Sequence, residues 1–449
     1  MANNLLNVCL MNDSFPPLID GVANAVINYA SVISGGLGAA TVVTPENPDS
    51  DGDDFSFPVV RYKSMPITEK LCGYRAGYPF SSSKLQKLGD SKFDIIHSHC
   101  PFASTVMART LREKTGLPIV LTYHTKFDID IRRALPTKII ADAAIKLVVA
   151  NIAACDEVWT VSQGAGENLR SLGYEGDYIV MENGVDFPCG RADREYVEEL
   201  RAEYGFNDEA PVFLFVGRLL WYKGVKLIFD ALKILHDKGI KYHMLMVGDG
   251  MDRAEMEEYV SELGISDSVV FTGAVYDRED LRVFYTAGDL FLFPSLYDTN
   301  GIVVREAAAC GDGSLLIEGS CAAEGITHGR TGILTKDEPA AIAAELEFAA
   351  SHLDEVRQIG QHAMEEVYIS WETAVKRAYE RYMVVIENVM AGKTRRREGI
   401  LSEDFFFMMN GMTDAVQSFR SMPKNLRRKG RRFGHKLRHL GDDIKWDNK

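Results

Sequence analysis

The chain has 449 residues, too many for one ordinary domain, and its 46% hydrophobic content can fill two sizeable cores. No run of about 18 apolar residues appears, which excludes a helical membrane span, and the start MANNLLNVCLMND lacks the basic region of a secretory signal. The net charge of −14 is unevenly spread: residues 391–449 hold 15 Lys/Arg against 7 Asp/Glu, so an acidic body carries a basic tail.

Seven scattered cysteines (Cys9, Cys72, Cys100, Cys155, Cys189, Cys310, Cys321) form no CxxC pair. They predict free thiols in a reducing cytoplasm, and the lack of a His/Cys ligand set predicts no metal.

In chain order, short apolar runs alternate with helical stretches: LLNVCLMN (5–12), ATVVTP (40–45), DIIHSHC (94–100), PIVLTYH (118–124), EVWTVS (157–162) and YIVMENG (178–184). Strands of this kind between helices suit a parallel sheet covered on both faces. After the charged stretch 187–210 the same grammar restarts with VFLFVGR (212–218), HMLMVGDG (243–250), SVVFTGA (268–274), LFLFPS (290–295), SLLIEGS (314–320) and GILT (332–335). The prediction is α/β: two tandem doubly wound, Rossmann-like domains, with a ligand cleft at the carboxyl ends of their strands. Domain limits of 1–190 and 191–370 follow, then a breaker-free helix over 371–390 and a tail over 391–449.

NDSFPPLIDGVANAV (12–26) reads as a strand end, a proline-stiffened loop and a bend at Asp20-Gly21 before a helix. Glycine at such a bend lets backbone approach a ligand, or simply makes the turn. His124 closes PIVLTYH at the ligand-bearing rim, where an imidazole is either structural or able to bond a sugar hydroxyl and help move a proton. His97 and His99 of HSH are expected to line the acceptor side. VFLFVGR ends in Gly217-Arg218, and a short loop reaches Lys223-Gly224 before a helix; two cations there make either a solvated loop or the anion site that a departing diphosphate needs. GDG (248–250) is a weak candidate for a glycine-rich phosphate loop.

In FPSLYDTNGIVVREAAACG (293–311), seven residues separate Asp298 from Glu306, and a Gly301 turn precedes a helix from Ile302. The backbone N–H groups of Thr299, Asn300 and Gly301 are expected to be free for a phosphate or a sugar hydroxyl, with Glu306 placed to accept from a ribose. An ordinary helix with acids near its start is the competing explanation.

Taken together, SFPPLIDGVANAV, TYHT, NGVD (183–186), VGRLLWYKG, VGDG, FTGAV and FPSLYDTNGIVVREAAACG resemble the family 4 retaining glycosyltransferases of the GT-B fold, over residues 5–390 or so. The resemblance implies that the second domain binds a nucleotide sugar, a UDP-sugar first and a GDP-sugar as alternative, with no other cofactor. It implies catalytic roles for His124, Asp298, Arg218 and Lys223: Arg218 and Lys223 on the diphosphate, His124 on the transferring sugar. Glu306 would hold the ribose, Asp298 with the backbone of 299–302 (Thr299, Asn300, Gly301, Ile302) the donor sugar, and Gly21 the phosphate from the first domain. The family's usual Glu-x7-Glu is Asp298-x7-Glu306 here, and its Gly-Gly is Asp20-Gly21. FPPLIDGVANAV with YHT is most similar to the diacylglycerol glucosyltransferases.

The tail adds an expectation about the acceptor. Ala415–Gly441 contains no acidic residue, and nine Lys/Arg from Arg420 to Arg438 interleave with Phe419, Met422, Leu426, Phe433, Leu437 and Leu440 at helical spacing. A basic amphipathic segment over 419–440 reads as a binder of anionic membrane surface rather than of nucleic acid, for which stacking aromatics are few. The expected protein is thus a metal-independent hexosyltransferase on the inner face of the plasma membrane with a lipid acceptor. The rivals are a soluble transferase acting on a polyol or sugar phosphate, a nucleotide-sugar 2-epimerase, and a silent scaffold.

Overall fold

The computed structural model describes residues 5–394 apart from 19, 51, 53, 67–74, 207 and 300. Fifteen strands are present among them: β1 (Leu6–Met11), β2 (Gly38–Pro45), β3 (Val59–Tyr62), β4 (Ser64–Pro66), β5 (Arg75–Gly77), β6 (Ile95–Ser98), β7 (Ile119–Tyr123), β8 (Glu157–Thr160), β9 (Ile179–Val180), β10 (Val212–Val216), β11 (His243–Val247), β12 (Val269–Gly273), β13 (Leu290–Phe293), β14 (Ser314–Ile317) and β15 (Ile333–Thr335). They form two parallel sheets, β3-β2-β1-β6-β7-β8-β9 and β12-β11-β10-β13-β14-β15, and one small antiparallel pair, β4-β5. Both large sheets are doubly wound, as the alternating pattern predicts. The edge strand β3 and the pair β4-β5 are additions that the sequence reading missed, because runs of three or four residues carry no distinctive period.

Each sheet reverses its strand order once, between β1 and β6 and between β10 and β13. At such a reversal the connections leave in opposite directions, and the carboxyl ends of the two central strands border an open crevice. The central strand β10 is buried along its whole length, Val212 through Val216, which requires the uninterrupted apolar run VFLFV.

The helix Trp371–Met390 does not stay with the second domain. Its buried stripe Trp371, Ala374, Val375, Ala378, Tyr382 and Val385 packs into the core of the first sheet with Val26 and Tyr29. Arg381 anchors it through paired contacts of 2.9 and 2.6 Å to Glu157, and Tyr379 Oη accepts the Leu6 N–H at 2.6 Å. Gly184 of the NGVD motif lies where the returning chain crosses: a Cβ there would sit 2.4 Å from Trp371 N. The GDG turn has a similar packing cause. Cβ atoms at Gly248 and Gly250 would lie 1.9 Å from Gly217 O and 2.3 Å from Leu219 O. Those glycines admit a neighbouring backbone and need no phosphate to explain them.

The six described cysteines other than Cys72 are free thiols, and none of the described helices is long and apolar enough to cross a membrane. The basic segment 419–440 and Asn300 lie outside the described residues.

One core residue works against the fold. Asp312 is 1% exposed and neither carboxylate oxygen has a hydrogen bond of normal geometry; the nearby Phe291 N–H donates to Gly313 O at 2.8 Å instead. Burial pushes its pKa well above the usual carboxylate value, against a partial offset from Arg191. The folded state therefore favours the protonated acid, and stability is lost as pH rises from the unfolded-state pKa, about 4, toward the raised folded value. Asp312→Asn is expected to match the natural chain near pH 4 and to melt at a higher temperature near pH 7, as read by thermal unfolding across that range.

Candidate active site

The carboxyl ends of the two sheets meet through a short set of hydrogen bonds. Thr299 Oγ1, after β13, donates to the His124 carbonyl, after β7, at 2.8 Å. Ser162 Oγ, after β8, donates to the Thr299 carbonyl at 2.5 Å. Glu324 of the second domain accepts the N–H groups of Gln163 and Gly164 at 2.5 and 2.6 Å, capping the helix Gln163–Ser171 of the first. Backbone N–H groups at a helix start lack internal partners, so a carboxylate arriving from the other domain satisfies them.

On the second domain, Lys223 and Asp298 are brought together: Nζ lies 2.6 Å from Oδ2, with both side chains largely buried. They leave adjacent strands, β10 and β13, at the strand-order reversal. Gly224, just after the lysine, has φ 80° and a position where any Cβ would lie 2.1 Å from Pro294 O, so the two strand-end loops can be this close only with glycine there. Burial raises the Asp298 pKa, but the Lys223 charge and hydrogen bond and the N–H groups of Gly301 and Thr299 outweigh it and leave the carboxyl below its usual value. Arg218, at the same strand end, is exposed and its Nη2 is 3.3 Å from Tyr222 Oη; it stands apart from the Lys223–Asp298 pair.

The loop after Asp298 differs from expectation in one respect. The Thr299 and Gly301 N–H groups are not free, since Asp298 Oδ1 accepts both at 2.9 and 3.2 Å. The short aspartate side chain folds back on its own loop, just ahead of the helix Ile302–Ala309.

Glu306 lies one turn into that helix, 6% exposed. Oε1 accepts from Arg278 at 2.7 Å and Oε2 from Tyr285 Oη at 2.9 Å. Arg278 reaches Asp186 of NGVD at 3.8 Å and stacks over Phe187 at 4.1 Å. Arg278 and Tyr285 are absent from the sequence reading. Their helix, Arg278–Ala287, looks like any surface helix after an Asp277 cap, and only the packing turns these two side chains toward the glutamate.

On the first domain Asp20 caps the helix Gly21–Val32, accepting from Val22 and Ala23 at 2.9 and 2.7 Å. A Cβ built on Gly21 meets nothing within 4 Å, so packing places no demand for glycine there. His124 is 8% exposed, and its Nε2 is 3.0 Å from His99 Nδ1. Burial lowers the His124 pKa to about 4, with Asp20 opposing the shift. His97 and His99 do not line the acceptor side as expected. They are 0% and 2% exposed and form a ladder behind His124, because the parallel register sets them beneath the rim.

With this geometry in place, comparison with known proteins identifies the family. The family model described as Glycosyltransferase Family 4 matches residues 19–187, and that described as Glycosyl transferases group 1 matches residues 197–365. The chain belongs to these glycosyltransferases. A relative from Streptococcus pneumoniae, an alpha-monoglucosyldiacylglycerol synthase, is 23% identical over 89% of this chain and 91% of its own. The enzyme of the same name from Acholeplasma laidlawii is 23% identical over 68% and 78%. Among solved structures, Anabaena HepE in complex with UDP and glucose superposes with a TM-score of 0.66 at 18% identity, covering 84% of this chain and all of that one. Such superposition makes the fold of this glycosyltransferase GT-B.

The Glu306 cluster makes a stability prediction for the glycosyltransferase. Glu306→Ala strands the Tyr285 hydroxyl, which is fully buried, and is expected to cost about 1–3 kcal/mol in urea unfolding. Glu306→Gln, whose amide still accepts from Arg278 and donates to the Tyr285 oxygen, is expected to cost less.

Proposed function

We propose that this glycosyltransferase moves a hexosyl group from a UDP-sugar to a lipid acceptor at a membrane surface, with retention at the anomeric carbon and without a metal. The observation that carries the reading is the Lys223–Asp298 contact of 2.6 Å beside a loop clasped to His124, at the junction of the two sheets. A buried ammonium held by a single carboxylate is an anion site already occupied by a stand-in. An incoming diphosphate competes for Lys223, and Asp298, released, can accept hydroxyls of the donor sugar. Arg218, exposed one loop-length away, is free to swing onto the same diphosphate. Glu306, kept in place by Arg278 and Tyr285, presents its carboxylate to the ribose. Gly21 leaves room for the phosphate from the first domain, and His124 meets the transferring sugar.

In this scheme the bond from the anomeric carbon to the diphosphate oxygen breaks as the acceptor hydroxyl forms the new bond on the same face. The acceptor's proton passes to a phosphate oxygen of the departing UDP, whose growing charge Lys223 and Arg218 neutralise. UDP as the nucleotide draws support from the ligands of Anabaena HepE. The lipid acceptor draws support from the names of the two synthases and from the basic stripe over 419–440, where each Lys/Arg near an anionic leaflet adds about 1 kcal/mol.

Two measurements test the reading. With UDP-glucose and diacylglycerol in anionic vesicles, assayed well below the variant's own melting temperature, Lys223→Ala is expected to lower turnover about 100–1,000-fold; an unchanged rate overturns the site. In flotation at low salt, the full chain is expected to rise with phosphatidylglycerol vesicles, and a chain ending at Met390 to rise less. If neither floats, the membrane reading is overturned, in favour of the rival with a soluble polyol or sugar-phosphate acceptor.

A further inference from the structure

His99 sits one step behind the candidate site, and its contacts restrict the chemistry of His124. Its Nδ1 lies 3.0 Å from His124 Nε2, so one of these nitrogens carries the proton and the other accepts it. His99 Nε2 is buried without a hydrogen-bond partner. If His124 were the donor, His99 would have to carry its own proton on that Nε2, as an N–H buried with nothing to receive it. With His99 as the donor, only a lone pair is left unpaired. Orphaned N–H groups are the rarer of the two defects in folded proteins.

The surroundings hold this arrangement. His97 packs against His99 with ring centroids 3.9 Å apart and planes tilted by 37°, and its own nitrogens are engaged by Tyr382 Oη at 2.6 Å and Thr122 Oγ1 at 2.7 Å. It therefore does not compete for His124. Tyr29 closes the other side of His99 at 5.0 Å between centroids. Burial, with a smaller contribution from the neighbouring rings, keeps His97 and His99 well below their usual pKa, so the ladder is neutral and each ring holds a single proton. Thr299 pins the His124 carbonyl from the second domain, while the His99 contact acts on the ring itself.

We propose that His99 is a positioning residue. Its Nδ1–H donates to His124 Nε2 and holds His124 in the tautomer whose Nδ1 carries the proton. The partner of one imidazole nitrogen decides what the other offers to a ligand. His124 then presents a hydrogen-bond donor to an oxygen of the transferring sugar and has no free lone pair with which to take the acceptor's proton. The consequence for turnover rests on the reading above that His124 meets the sugar; the tautomer itself does not.

The full-length protein with ¹⁵N-labelled histidine tests this, because ring-nitrogen resonances separate protonated from bare nitrogen, and His124→Gln assigns the signals. The expected spectrum has His124 protonated at Nδ1 and bare at Nε2; a proton on Nε2 overturns the proposal. His99→Leu is expected to lower kcat about 10–100-fold with little change in KM for UDP-glucose. His99→Asn, whose amide restores a donor near the place of Nδ1, is expected to recover most of the loss. A folded His99→Leu protein with unaltered kcat sinks the proposal, as does a His99→Asn protein that melts normally yet stays as slow as the Leu variant. If the Leu variant does not fold, the Asn variant and the spectrum decide. Full turnover by His124→Ala would instead remove the sugar contact assumed for His124, while the spectrum still judges the tautomer.

Discussion

Two parallel strands that leave a reversal point side by side create the central contact of this protein. Because β10 and β13 are neighbours, Lys223 and Asp298, 75 residues apart in the chain, come within 2.6 Å. An ammonium and a carboxylate this deeply placed are tolerated only as a pair, since either alone would lose its hydration without compensation. In the proposed function it is this pairing that an incoming diphosphate would exchange. Apolar strands, the packing glycine at 224 and the bonds from Asp298 to its own loop all serve to set these two groups at the junction of the domains.

The first domain contributes a different kind of surface. Three histidines on β6, β7 and their carboxyl ends are buried in sequence, and burial rather than any carboxylate sets their protonation. A neutral imidazole ladder near the Lys223 ammonium avoids the repulsion that three imidazolium rings would add. The helix Trp371–Met390 takes part, since Tyr382 closes the inner end of that ladder. The chain therefore stitches its two domains twice, once through the loops of the cleft and once through this returning helix.

Much of this could be read in advance. The double winding is legible because near-continuous apolar runs of four to eight residues, separated by helical stretches, have few other solutions. The candidate positions followed from the rule that ligand-binding residues of such folds cluster at strand ends: His124, Arg218 and Asp298 come one, two and five residues after β7, β10 and β13. Arg278 and Tyr285 were not legible, because nothing local distinguishes a helix residue that turns toward a buried carboxylate from one that faces water. The state of Thr299 and Gly301 was misjudged for a related reason: an aspartate that bonds its own loop is spelled the same way as one that leaves the loop open.

By itself, then, the order of residues determined the periodicity of each element, the two-sheet plan and the positions where charge gathers at strand ends. Only the tertiary structure decided which of those charges touch, that His97 and His99 are interior rather than lining, and that the last described helix belongs to the first domain's core. The physical reason is one of range. Period and propensity act over a few neighbouring residues, whereas burial, pairing and proton position depend on groups tens to hundreds of residues away, whose approach is settled only when the sheets close.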